Sequence, residues 1–194
     1  MVVGLTGMSG AGKSYVAEHF SSAGFNIIDA DKTYHELVSR DGECTRELKS
    51  AFGTSVINRD GSLDRSALAP IVFSDPAKLA LLNSITHRYV LSAIRQEISR
   101  RAGICVVDAP QLFESGFDAE CEVIVGVVAD PALCVERIVS RDKISPEKAK
   151  QRLANQHGRD YIESRCDVVI INNGNDISKD IENTIKMIKE KTNV

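Results

Sequence analysis

An α/β fold, a parallel sheet covered by helices on both faces, is predicted by three features of this 194-residue chain. Short, nearly continuous Val and Ile runs recur along it. Longer amphipathic stretches fill the gaps between them. The first apolar run leads into a glycine-rich turn and then a helix. The length suits one domain, residues 1–194, with room for insertions. Apolar residues at 43% and charged residues at 26% are ordinary globular values and argue against disorder. The net charge of −3 argues against non-specific nucleic-acid binding, so no nucleic-acid partner is expected. Cys44, Cys105, Cys121, Cys134 and Cys166 are odd in number and contain no C-x-x-C, which predicts buried free thiols in a reducing compartment. The start MVVGLTG lacks a basic n-region, and no apolar stretch approaches about 18 residues. A soluble cytoplasmic protein with no secretion signal and no membrane partner is therefore expected.

The elements follow in order. Val2–Thr6 reads as the first strand, and a helix runs from about Lys13 to just before Gly24. Phe25–Asp29 reads as the second strand and Ile104–Asp108 as the third. About 75 residues separate these two, far more than a crossover needs. Something helical is inserted at roughly 31–102. It lies beyond the carboxyl end of a strand, where α/β proteins bind ligands, so a substrate-binding subdomain is expected there. Within it Asp75 can cap a helix, Pro76 suits its first position, and Gly103 follows its far end. Glu122–Val128 and Asp167–Asn172 are the last two strands. Ser145-Pro146 opens a helix between them, and a final helix spans about Ile177 to Lys191.

Residues 7–14, Gly7-Met8-Ser9-Gly10-Ala11-Gly12-Lys13-Ser14, match G-x-x-x-x-G-K-[ST] at every fixed position. The glycines let backbone N–H groups approach phosphates, and the following helix N-terminus adds the positive end of a dipole. Lys13 would reach the β/γ-phosphates and Ser14 would offer its hydroxyl to Mg²⁺. The fold expected is thus a three-layer P-loop NTPase fold with a five-stranded parallel sheet. Neither D-x-x-G nor N-K-x-D occurs, which argues against a regulatory GTPase. A small-metabolite kinase fits better.

The second strand ends Ile27-Ile28-Asp29-Ala30-Asp31. Two residues apart in an extended segment, Asp29 and Asp31 would face one side. One could accept the acceptor hydroxyl's proton while the other positions a group or a metal water. Alternatively, Asp31 caps the helical stretch 32–39. Asp108 ends a strand as a Walker-B aspartate would, holding Mg²⁺, or it is a turn residue before Pro110. Glu114 is a candidate for contact with substrate or metal shell. Arg137, Arg141, Lys143, Arg152 and Arg159 suggest a lid at about 137–160 that excludes water, with Arg141 the strongest candidate. A solvated charged face is the alternative.

Together these motifs resemble the dephospho-coenzyme A kinase family. Beside GLTGMSGAGKS, the resemblance rests on IIDAD (27–31), ELV (36–38), DGSLDRSAL (60–68), VFSDP (72–76) and LNSITH (82–87). DAPQLFESG (108–116), SRD (140–142), RLANQ (152–156) and INNG (171–174) extend it along nearly the whole chain. The resemblance implies transfer of the ATP γ-phosphate to the ribose 3′-hydroxyl of dephospho-CoA, the last step of coenzyme A biosynthesis. It implies ATP and Mg²⁺, with Gly7, Gly10, Ala11, Gly12, Lys13, Ser14 and Tyr15 at the nucleotide and Asn173 near its adenine. Ser14 and Asp108 would serve the metal. Asp31 would be the base, beside Lys13 and Arg141, and Asp29, His87 and Glu114 would face the acceptor. The inserted helices at about 31–102 would form the CoA-side domain of a monomer or weak homo-oligomer. Arg88 stands where the family often has proline and Gln111 where it has leucine, which bears on the acceptor pocket. A shikimate-type kinase is an alternative, although its usual Gly-Gly pair is absent. A non-catalytic ATP-binding regulator is another.

Overall fold

A computed structural model describes residues 1–192. In chain order these form β1 (Val2–Gly7), α1 (Lys13–Ser22), β2 (Asn26–Asp29), α2 (Ala30–Val38), α3 (Glu43–Phe52), α4 (Arg65–Phe73) and α5 (Pro76–Ser99). β3 (Cys105–Asp108), β4 (Val123–Val128), α6 (Pro131–Asp142), α7 (Pro146–Ala154), α8 (Arg159–Arg165), β5 (Val168–Ile171) and α9 (Ser178–Thr192) follow. The five strands form one sheet in the order β2-β3-β1-β4-β5. β1 pairs in parallel with β3, Val2 opposite Cys105 and Leu5 opposite Asp108. On its other edge β1 pairs in parallel with β4, Val3 opposite Val123 and Gly7 opposite Val127. β4 continues in parallel to β5, Val125 opposite Val168. The five-stranded parallel α/β architecture is the one expected from sequence.

The strand ends shift by about one residue from the sequence expectation, for visible reasons. Phe25 was expected in β2, but its N–H closes the end of α1 by donating to the Phe20 carbonyl at 3.1 Å. The ladder starts one residue later, where Asn26 N–H donates to Ile104 O at 2.9 Å. Consecutive strand residues are buried, because helices cover both faces of the sheet.

The chain divides into two compact units, Met1–Ile28 with the chain from Arg101 onward, and Asp29–Arg100. The sheet unit is built on Val3, Leu5, Phe20, Val106, Val125 and Ile181, all fully buried. Each such side chain contributes about 1.5–3 kcal/mol on leaving water. The helical unit has its own core around Leu48, Val56, Leu68, Val72 and Ile85. There α5 begins as the sequence predicts: Asp75 Oδ1 accepts from Ala77 N at 2.9 Å and Lys78 N at 3.4 Å, with Pro76 in the first turn. It ends at Ser99, with Arg100 as its C-cap and Gly103 just beyond. Among the described residues no helix is long and apolar enough to cross a membrane.

Candidate active site

The Gly7–Ser14 loop joins the end of β1 to the start of α1. Gly10 and Gly12 hold left-handed φ values of 80° and 97°, which L side chains rarely adopt. A Cβ on Gly10 would also lie 2.6 Å from the Cys134 carbonyl oxygen. The turn is closed internally by Ala11 N–H donating to Met8 O at 3.0 Å, and Met8 N–H donates to Val127 O at 3.1 Å. Ala11 itself is fully buried, so its part in the loop is played by its backbone.

Two residues hold the loop from behind. Arg137 Nη1, from α6, donates to the carbonyls of Gly10 (3.2 Å), Ala11 (3.5 Å) and Asn172 (3.1 Å). Its Nη2 donates to Asn172 Oδ1 at 3.3 Å, and Asn172 Nδ2 donates to Ala11 O at 2.8 Å. With the Ala11 carbonyl fixed on that side, the trans peptide aims Gly12 N–H the opposite way. The first-turn N–H groups of α1, which have no intrahelical acceptors, add to the same anion-binding face. Sequence reasoning placed Arg137 among lid cations and Asn172 in a strand-ending segment that the resemblance puts near the adenine, and neither was assigned to the loop. Asn173, expected near adenine, uses its Oδ1 to accept from Asp130 N at 2.8 Å.

Lys13 forms an ion pair with Asp108, both side chains largely buried at 16% and 11% exposure. β1 and β3 are neighbours with Leu5 opposite Asp108, which is why residues so distant in sequence meet here. Ser14 is exposed at the start of α1. A serine hydroxyl and a carboxylate are hard oxygen donors, the set Mg²⁺ takes when phosphates and waters complete its shell. Among the described residues no group of three or more His, Cys, Asp or Glu side chains could hold a metal ion. Tyr15 is 44% exposed and packs tilted against His19, ring centroids 4.4 Å apart.

Beside Gly7 lies a small cavity of about 100 Å³ lined by Gln111, Glu114, Gln156 and His157, among others. Glu114 pairs there with His157 Nε2 at 3.4 Å, and the His157 ring stacks on Tyr161 at 3.6 Å. Gln156 Oε1 accepts from Ser9 N–H at 3.0 Å, occupying one donor of the phosphate loop.

Several expectations are corrected. β2 ends at Asp29 and α2 begins at Ala30, so Asp29 and Asp31 do not share one face of an extended segment. Asp29, not Asp31, caps α2: its Oδ1 accepts from Lys32 N–H at 2.9 Å. Asp31 lies in the first turn of α2 and is exposed. Of the five cations expected in a lid, Arg137 lies behind the phosphate loop, and two of the others share one carboxylate. Arg141 is held in a two-bond fork by Asp142 (2.7 and 3.0 Å), which also pairs with Arg152. The hydrogen bonds from Arg141 hold the Asp142 carboxyl at about 2, well below its usual range. Arg159 bonds Glu163 at 2.6 Å, and Lys143 closes α6 with a left-handed φ of 54°. In the helical unit His87 is half-buried on α5. Arg88 bonds Glu47 of α3 and lies over the Tyr89 ring at 5.1 Å.

Comparison with known proteins agrees with this geometry. The dephospho-CoA kinase family model matches residues 1–178. A dephospho-CoA kinase from Fusobacterium nucleatum is 35% identical over 185 residues, covering 94% of this chain and 95% of that protein. Among solved structures, TT1252 from Thermus thermophilus superposes with a TM-score of 0.84 at 30% identity, covering 98% of this chain and 97% of that one. A dephospho-CoA kinase from Campylobacter jejuni gives a TM-score of 0.68 at 27% identity, with 100% and 98% covered.

Proposed function

The chain belongs to the dephospho-CoA kinase family, and from that premise we propose how its residues divide the transfer of the ATP γ-phosphate to the ribose 3′-hydroxyl of dephospho-CoA. The observation that carries the reading is the phosphate loop with Lys13 held against Asp108, in a chain the family model covers almost throughout.

The N–H groups of Gly10 to Ser14 cradle the triphosphate, and Lys13 exchanges part of its pairing with Asp108 for the β/γ-phosphate oxygens. Ser14 and Asp108 would hold Mg²⁺. When bound, the ion neutralises charge on the phosphate oxygens. Tyr15 and Asn173 flank the nucleotide. Asp31 accepts the hydroxyl proton, and Asp29 serves it indirectly by fixing the first turn of α2. The transition state is loose, so Asp31 acts chiefly by orienting the hydroxyl. The helices of 31–102 carry the acceptor, and His87 and Glu114 are acceptor contacts. Residues 137–160 act as the lid. Arg141 is released from Asp142 to meet the transferring charge, and Gln156 leaves Ser9 N–H as the phosphates arrive. The five free cysteines suit work in a reducing cytoplasm.

The test is ADP release from Mg·ATP with dephospho-CoA, shikimate, nucleoside monophosphates or no acceptor. Stimulation by dephospho-CoA alone, with CoA as product, is expected. Intact ATP binding without that stimulation would overturn the acceptor assignment and favour a binding protein without transfer chemistry. Asp31→Asn should lower kcat by about 100-fold. Near-full turnover in that variant removes Asp31 from the role of base.

A further inference from the structure

The helical unit holds a cation that rests on two aromatic rings. Arg65 is exposed at the first position of α4. Its guanidinium meets the His35 ring, Nη2 to Nδ1 at 2.7 Å and Nη1 to Nε2 at 3.3 Å, and lies 5.2 Å from the centre of the Tyr34 ring. No carboxylate pairs with it among the described residues. The adjacent carboxylate, Asp64, is engaged otherwise, its Oδ1 accepting from Ala67 N–H at 3.0 Å to cap α4. Elsewhere in the same unit, Arg46 pairs with Asp41 and Arg88 with Glu47. Arg65 also sits against the positive end of the α4 dipole, an unfavourable place for a cation unless an anion joins it.

The location gives that anion a chemistry. His35 follows Asp31 by four residues on α2, so the two lie on one helix face, about 6 Å apart along the axis. The acceptor of this family carries its diphosphate on the 5′-carbon of the same ribose whose 3′-hydroxyl is phosphorylated. An acceptor hydroxyl at Asp31 therefore brings two negative phosphates within a ribose's width of it. We propose that Arg65, seated on His35 and Tyr34, binds the diphosphate of the acceptor and thereby sets the ribose 3′-hydroxyl against Asp31. The planar guanidinium suits this task, because it can keep its face on Tyr34 while its edge forms a two-bond fork to phosphate oxygens. The assignment rests on the kinase reading above and on the place given there to Asp31.

The test is steady-state kinetics of the full-length enzyme and its Arg65→Gln and Arg65→Lys variants, with dephospho-CoA and with adenosine. Adenosine keeps the base and the 3′-hydroxyl and lacks the diphosphate. Arg65→Gln should raise KM for dephospho-CoA about 30-fold, the loss expected for a charge-assisted pair of hydrogen bonds. KM for ATP should stay within about twofold, kcat/KM on adenosine should be unchanged, and Arg65→Lys should fall between. Where adenosine turnover lies below detection, its inhibition constant against dephospho-CoA gives the same readout and should not move. Equal losses on both acceptors, an unchanged KM for dephospho-CoA, or a parallel rise in KM for ATP would each overturn the proposal. A wild-type enzyme that binds ATP and ignores dephospho-CoA would instead overturn the kinase reading. The two failures are thus distinct.

Discussion

Behind the phosphate loop, Arg137 donates to three carbonyls, and two of them belong to the loop. Truncating it leaves Gly10 O without this partner and Ala11 O with Asn172 alone. The loop peptides are then free to rotate, and the orientation of Gly12 N–H is no longer imposed. Arg137→Ala should raise KM for ATP roughly tenfold, with KM for dephospho-CoA changing little, since each lost charge-assisted bond is worth about 1.5 kcal/mol or more. Arg137→Lys, which keeps a charge and one donor direction, should recover part of the loss. A split between the two KM values separates this role from general destabilisation. The loop was legible in sequence because its chemistry lies in eight consecutive residues. Arg137 and Asn172 were not, because they reach Ala11 across sequence separations of 126 and 161 residues. Asp29 and Asp31 show the opposite difficulty. Both were visible as candidates, but which one capped the helix depended on where α2 began, at Ala30 rather than two residues later.

At the scale of elements, the sheet was legible because its strands are covered on both faces. A run such as Val123–Val128 then needs apolar residues at every position, and the single exception has a reason. Gly126 stands where α8 packs on β4. A Cβ there would lie 2.7 Å from both Cys166 Sγ and Ile162 Cγ2. Gly126→Ala should destabilise the protein by about 1–3 kcal/mol through overpacking. Its thermal midpoint should fall by roughly 3–10 °C in a circular-dichroism melt. An unchanged midpoint would mean that α8 moves away from β4 at no cost. At α5, Asp75→Ala should cost about 1 kcal/mol, because it removes the acceptor for Ala77 and Lys78 N–H. That helix was legible from its Asp-Pro start. The division of residues 31–74 into α2, α3 and α4 was not. These helices are short, and what fixes them is mutual burial of Val38, Leu48, Leu68 and Val72 rather than strong local signals.

Over the whole molecule, the two units share one vulnerability. Burial pushes the Cys44 thiol up to about 11, with Glu47 adding to the shift. It pushes Cys166 up to about 11 and Cys121 to about 12. Cys44 belongs to the core of the helical unit, and Cys166 packs against the core of the sheet unit. An unfolded thiol ionises near 8.5. Each of these groups therefore stays protonated in the folded state after its unfolded counterpart has lost its proton. The stability they contribute is fully present below the unfolded value and is lost as pH rises through about 11. The sign is reversed at the acid end. The folded Asp142 carboxyl titrates at about 2, so its contribution holds above the usual carboxylate value and disappears as pH falls through about 2. Urea midpoints should thus be level between about pH 5 and 8 and fall steadily above about pH 9. Dithionitrobenzoate at pH 8 gives an independent check. In urea all five thiols should react at once, whereas in the folded protein reaction should be slowed to the rate of opening. Replacing Cys44, Cys121 and Cys166 by Ala should flatten the alkaline fall in both units. If the fall persists in that variant, the alkaline lability belongs to other groups.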